Sequence, residues 1–326
     1  MKKTLTVLAV IIVVGLIAVG TWRWVNDEGV IPGQEPGEPG GPAATGPVQP
    51  DWCPDVEVIA APGTWESSPT DDPANPSFNP NSFLLTVTRP LQDRYPADRV
   101  KVWTLPYTAQ FRNINADHEM TYDESRNEGT STLENELRIT HGDCPLTDFI
   151  MTGFSQGAVI VGDVASEIGQ GYGAVPAERV RGVALIADGR REPGVGQAAG
   201  NPVSGVGAEI SLELLNPAVQ LVTPGATMRG PRDGGFGVLD DRTFQVCAPN
   251  DHICDAPLGV GNAVERAQGL IENNGVHAQY ATNPNVFPGS TTTQWLIGWI
   301  SGLVDRAPAP VQAPESGVVD SVPPVP

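Results

Sequence analysis

Basic residues are scarce in this chain. Lys and Arg number 19 against 38 Asp and Glu, a formal net charge of −19. Binding nucleic acid requires basic patches that neutralise phosphates, so no nucleic acid is expected as a partner. The same deficit leaves lipid and other apolar substrates open. Cysteine is nearly as sparse, with Cys53, Cys144, Cys247 and Cys254 only. Cys247 and Cys254, the one short pair, are separated by six residues and lack the close spacing of a zinc site. An even count in an exported chain points instead to two disulfides. Spacing alone leaves all three pairings open. No cysteine follows the N-terminal apolar run, so a lipoprotein anchor is not expected, and no internal repeat is visible.

What is present divides the chain into four parts. Lys2 and Lys3 precede an apolar stretch from Leu5 to Trp22, a positive region and then a long hydrophobic one, which directs a chain to the membrane. The stretch is about the minimum length for a spanning helix. Ala18-Val19-Gly20 is a poor cleavage site, and Trp22 and Trp24 stand where interfacial aromatic anchors would. The expectation is an uncleaved signal anchor over residues 1–25, with secretion after cleavage as the alternative. Residues 26–51, rich in Pro, Gly and acidic side chains, read as a flexible tether. Residues 52–306 form the folded domain, and residues 307–326 read as a disordered Pro-rich tail. With 326 residues and 40% apolar content, the chain is ample for a full core.

Within the folded domain, five apolar runs read as strands: Val56–Ala60, Val100–Leu105, Asp148–Thr152, Val180–Ala187 and Thr243–Cys247. Such near-continuous runs fit strands buried on both faces of a parallel sheet. Helical patterns alternate with them over Ser82–Arg94 (interrupted by Pro90), Ser125–Ile139, Gly157–Gly169, Gly261–Glu272 and Thr293–Val304. The alternation predicts an α/β fold, a doubly wound, mainly parallel five-stranded sheet flanked by helices. Asp188–Asp240 is the least legible stretch, Gly/Pro-rich with one short apolar piece. A loop of that length is either a substrate-binding flap or a plain surface excursion.

The chemistry centres on Gly153-Phe154-Ser155-Gln156-Gly157, which follows an apolar run and precedes a helical one. This is the Gly-x-Ser-x-Gly nucleophile elbow in its strand–turn–helix context. Ser155 must take a strained backbone that lifts its hydroxyl above the sheet, and Gly153 and Gly157 let strand and helix pass close to it. The Gln156 N–H, at the helix start, is placed to meet an oxyanion.

A serine nucleophile needs a base and a group that orients the base. In this fold the order along the chain is Ser, then Asp or Glu, then His. His252 and His277 follow Ser155, whereas His118 and His141 precede it and read as surface residues. Asp251 sits just after the fifth strand, and a Cys247–Cys254 disulfide, if formed, would hold it rigidly. His277 lies in the loop before the last helix. His252 competes as base, but a sequence neighbour of Asp251 tends to point away from it. The second oxyanion donor belongs in the loop after an early strand, where Thr64 offers a backbone N–H and a hydroxyl.

Pro62-Gly63-Thr64-Trp65-Glu66, Gly153-Phe154-Ser155-Gln156-Gly157 and Cys247-Ala248-Pro249-Asn250-Asp251-His252-Ile253-Cys254, with a later His277, together resemble the cutinase family of serine esterases. The likeness covers about Cys53 to Leu303. It is similar in particular to the membrane-anchored cell-wall cutinase-like lipid hydrolases of mycobacteria and corynebacteria. The resemblance implies Ser155, Asp251 and His277 as catalytic residues and Thr64 and Gln156 as the oxyanion hole. It also implies disulfides Cys53–Cys144 and Cys247–Cys254, and neither metal nor cofactor.

Cell-wall members are described as phospholipases or thioesterases of mycolic-acid envelope metabolism. The implied activity is therefore hydrolysis of lipid acyl esters or thioesters by a monomer, tethered in the cell envelope with its catalytic domain outside the cytoplasm. Cutinases proper have compact, lidless sites, so the long Asp188–Asp240 stretch argues against cutin as substrate. An acyltransferase using the same three residues, and a non-catalytic envelope-binding protein with a vestigial site, are the alternative functions.

Overall fold

The computed structural model describes residues 48–257 and 274–310. The expected anchor, residues 26–47 of the expected tether, the Gly261–Glu272 helix and residues 311–326 lie outside the described residues. Among the described residues, no helix is long and apolar enough to cross a membrane.

Six strands form one parallel sheet: β1 (Val56–Ala61), β2 (Val100–Thr104), β3 (Asp148–Phe154), β4 (Val180–Ile186), β5 (Gln197–Ala199) and β6 (Thr243–Val246). Their order is β2-β1-β3-β4-β6-β5. The sheet thus has one strand more than the five expected. β5 is three residues, Gln-Ala-Ala, pairing with β6 at the sheet's edge. Its side chains are largely exposed, so it carries no apolar run by which a sequence could reveal it.

Among the described residues, four long helices cover the two faces: α1 (Leu85–Arg94), α2 (Tyr122–Asp143), α3 (Gln156–Gly169) and α4 (Thr292–Arg306). Strand side chains alternate between faces. Val56, Val58 and Ala60 of β1 pack with Leu91 of α1 and Leu296, Ile300 and Val304 of α4. Ile59 and Ala61 of the same strand pack on the other face with Leu133 and Leu137 of α2 and Ile160 and Val164 of α3. β1 is thus buried on both faces, which is why it reads as a near-continuous apolar run.

α1 runs through Pro90 instead of breaking there. Pro costs about 3 kcal/mol inside a helix. Val87 and Leu91 are fully buried on either side of it, and each such side chain gains about 1.5–3 kcal/mol by burial. α2 begins three residues earlier than its apolar pattern suggests. Thr121 and Glu124 form a reciprocal capping box that satisfies two helix-end N–H groups.

The Asp188–Asp240 stretch is pinned to the body by buried charge. Arg190, Arg229 and Arg232 converge on Asp163 of α3 at 2.9, 2.6 and 2.8 Å. Arg232 also meets Asp188 at 2.6 Å and Arg229 meets Glu209 at 3.0 Å. Burial works to raise the Asp163 carboxyl, but the three guanidinium groups outweigh it and hold it at about 2.

At the limits of the body, Gln49 is buried and accepts a hydrogen bond from the Leu146 N–H, and Ala307 is buried and accepts one from Arg99.

Candidate active site

The strand order reverses about β1: β2 lies on one side of it and β3 on the other. The carboxyl ends of β1 and β3 therefore flank a switch point, where open α/β sheets bind their ligands. Ser155 lies immediately after β3, in the left-handed region with φ 54° and ψ −120°. A non-glycine residue held there is strained, and the close packing around it sustains the strain. A Cβ on Gly153 would stand 2.2 Å from the Gly157 carbonyl oxygen, and one on Gly157 would stand 2.0 Å from that of Ala61. Both glycines are thus required by contact.

His277 places its Nε2 2.8 Å from Ser155 Oγ and its Nδ1 2.9 Å from Asp251 Oδ2. Asp251 comes from the loop after β6, and Cys247 and Cys254 are disulfide-bonded across that loop. Inside it, Asn250 takes a left-handed backbone, a conformation asparagine adopts more readily than most residues. Asp251 is almost fully buried and also accepts from the Tyr280 hydroxyl at 2.7 Å and the Ile253 N–H at 3.0 Å. Burial works to raise its carboxyl. The His277 ring and the hydrogen bonds from His277, Tyr280 and Ile253 outweigh burial and leave the carboxyl below its ordinary value. The His277 ring is stacked on Phe154 at 5.0 Å between centroids. His118 is exposed, and His141 lies half-buried in the last turn of α2.

The loop after β1 lies against the elbow, for a Cβ on Gly63 would come within 3.3 Å of Ser155 Cβ. Thr64 Oγ1 lies 3.1 Å from Gln156 Oε1. Glu66 ties this loop down. Its carboxylate accepts from the Gly63 N–H at 3.2 Å, the Ser82 hydroxyl at 3.0 Å and the Phe83 N–H at 3.1 Å. Burial raises its carboxyl, partly offset by those bonds. Cys53 and Cys144 are bonded at the amino-terminal ends of the central strands, before β1 and β3 respectively.

Residues 52–280 match the profile of the family described as Cutinase. The chain belongs to the cutinase family. It is also 63% identical over 309 residues to the carboxylesterase Culp6 homolog of Corynebacterium glutamicum, covering 94% of this chain and 100% of that one. Among solved structures it is similar to an acetyl xylan esterase, with 15% identity, a TM-score of 0.47 and coverage of 77% of this chain and 99% of that one. It is similar as well to a cutinase-like protein from Cryptococcus sp., with 18% identity, a TM-score of 0.38 and coverage of 74% and 99%. This cutinase-family chain is a serine ester hydrolase.

Sequence reasoning missed three residues that shape this cutinase-family site. Tyr280 supports Asp251, Phe154 faces the His277 ring, and Glu66 anchors the Gly63–Thr64 turn. Phe154 and Glu66 stand inside the quoted motifs, but only as the variable or flanking positions. Tyr280 is three residues beyond His277, close enough for both side chains to reach the same carboxylate.

Proposed function

We propose that this chain is an exported serine esterase that cleaves lipid acyl esters or thioesters in the cell envelope, using Ser155 as nucleophile, His277 as base and Asp251 as orienting acid. The observation that carries the reading is His277 itself, whose two ring nitrogens reach Ser155 and Asp251 at once. That geometry allows the ring to take a proton from one side while the carboxylate fixes its tautomer on the other.

In the first half-reaction Ser155 Oγ attacks the acyl carbonyl carbon and its proton passes to His277 Nε2. The carbonyl oxygen becomes an oxyanion, held by donors from Thr64 and Gln156. The carbon–oxygen or carbon–sulfur bond then breaks, and His277 returns the proton to the leaving alkoxide or thiolate. Water attacks the acyl-Ser155 ester with His277 again as base. The acid departs and the Ser155 hydroxyl is restored.

Apolar substrates suit the surroundings. Trp65, next in the chain to Thr64, is half-exposed, and exposed Phe78 stands beside Asn79, whose Nδ2 donates to the Trp65 carbonyl. Export is supported by the two disulfides, which persist in oxidising compartments. The proposed domain map keeps an N-terminal anchor over residues 1–25 and a tether over 26–51, with a tail over 307–326.

The test is hydrolysis of p-nitrophenyl butyrate by Ser155→Ala. Turnover is expected to vanish with the melting temperature little changed. Undiminished turnover would remove Ser155 from the mechanism. A panel of phospholipids and acyl-thioesters then assigns the substrate class.

A further inference from the structure

Among the described residues, the non-glycine residues with a left-handed backbone are Trp65, Ser155, Ala187 and Asn250. Ser155 is the proposed nucleophile, and Asn250 lies in the loop that carries Asp251. Trp65, with φ 63°, is the bulkiest of them. A large side chain is a rare outlier there, and only surroundings that over-determine the conformation hold it.

Three separate segments hold Trp65. Its N–H donates to the Ala109 carbonyl, and its carbonyl accepts from Asn79 Nδ2 at 3.1 Å. Its indole N–H donates to the Glu119 carboxylate, whose two oxygens both lie at 2.9 Å. Glu119 is fixed in turn, because its Oε2 accepts the Phe111 N–H at 3.1 Å. Backbone and ring are thus both tied, yet the residue is 50% exposed. Packing in a core explains neither the exposure nor the strain. With its one polar atom taken up by Glu119, the indole presents hydrocarbon to solvent.

The ring stands close to the reaction centre. Gly63, two residues earlier, packs against the elbow, and a Cβ there would stand 3.3 Å from Ser155 Cβ. Two residues of chain span at most about 8 Å. Phe78 adds a second exposed ring. It is 57% exposed, its N–H donates to Asp71 Oδ2 at 3.2 Å, and it directly precedes Asn79, which holds the Trp65 carbonyl.

We propose that Trp65 determines acyl-chain specificity, as a platform for the part of the chain beyond its first few carbons, with Phe78 continuing it. A short acyl group reacts at Ser155 without reaching the indole, whereas a longer one gains its contact. This rests on the esterase reading of Ser155 and narrows the substrate class of that site to esters of longer, uncharged acyl chains.

The experiment measures kcat/KM for p-nitrophenyl acetate and p-nitrophenyl octanoate, both kept monomeric in solution. Glycine adopts a left-handed backbone freely, so Trp65→Gly removes the ring without straining the loop. Its octanoate-to-acetate ratio is expected to fall about ten-fold, roughly the worth of two buried methylenes. Trp65→Phe keeps an apolar ring and should hold the ratio within about three-fold of wild type.

An unchanged ratio in Trp65→Gly would overturn the proposal. So would an equal loss on both esters, which would make Trp65 a prop for its loop. Should Trp65→Gly fail to fold, Phe78→Ser leaves the Trp65 backbone intact and is expected to lower the ratio about three-fold; no change there would overturn the proposal as well. The esterase reading fails separately, by acetate turnover that survives Ser155→Ala.

Discussion

Tyr280 donates its hydroxyl hydrogen to Oδ2 of Asp251 at 2.7 Å, the same oxygen that faces His277 Nδ1. The phenol oxygen in turn accepts the Ala248 N–H at 2.9 Å. Tyr280 therefore links the loop that carries Asp251 to the segment that carries His277. Its hydroxyl is pushed well above its ordinary value, first by burial and then by the neighbouring Asp251 charge, so it remains a donor.

Tyr280→Phe keeps the ring and deletes this link. The Ala248 N–H and one lone pair of a buried carboxylate lose their partners. A buried group left unsatisfied costs about 1–3 kcal/mol, so the melting temperature should fall. A loss of about 1 kcal/mol in the orientation of Asp251 corresponds to about a five-fold fall in kcat. Urea unfolding and steady-state kinetics on one preparation check both. Unchanged kcat together with lowered stability would confine Tyr280 to a structural role.

The two disulfides separate stability from activity. Cys53–Cys144 closes a span of 91 residues at the amino-terminal end of the central strands, away from Ser155 at the carboxyl end of β3. In the chain-entropy model such a loop is worth about 4–5 kcal/mol. Its double alanine variant should lose much stability and little kcat at a temperature where it remains folded. Cys247–Cys254 spans only 7 residues but encloses Asp251, and a loop this short is worth about 2–3 kcal/mol. Its double alanine variant should lose less stability and more kcat. Thermal melting and kcat for the two variants, compared side by side, check the reversal.

Asp163 gives the fold a specific acid response. Its carboxyl is held at about 2 in the folded chain against an ordinary 3.8. A depressed carboxylate contributes stability that is fully present above the unfolded value and is lost as pH falls through the folded one. The contribution is about 2 kcal/mol, lost between about pH 4 and pH 2. Asp163→Asn removes it and leaves Arg190, Arg229 and Arg232 short of a shared partner, a change that typically costs about 3–5 kcal/mol for a buried pair. Urea unfolding from pH 2.5 to pH 7 should show a variant less stable at neutral pH and with a shallower acid limb.

Much of this was legible in the sequence, for physical reasons. β1, β3 and β4 are buried on both faces, so they announce themselves as apolar runs. The elbow is legible because glycine is required by contact on both sides of Ser155. β5 was not legible, since three largely exposed residues carry no pattern. The anchoring of Asp188–Asp240 was hidden because Arg229 and Arg232 find Asp163 across 66 and 69 residues of chain. Nothing local in their composition indicates that partner. Glu66 stood in plain view beside Thr64, but its three donors come from Gly63, Ser82 and Phe83, which only the folded loop brings together.

The central claim is that the Ser155 hydroxyl is activated by His277. The most direct measurement is mass spectrometry of the protein after reaction with a fluorophosphonate, on the wild type and on His277→Ala. The account predicts a single adduct, on the peptide containing Ser155, forming at least about 10³-fold more slowly in the variant. An adduct on any other residue, or a labelling rate indifferent to the loss of His277, would contradict it.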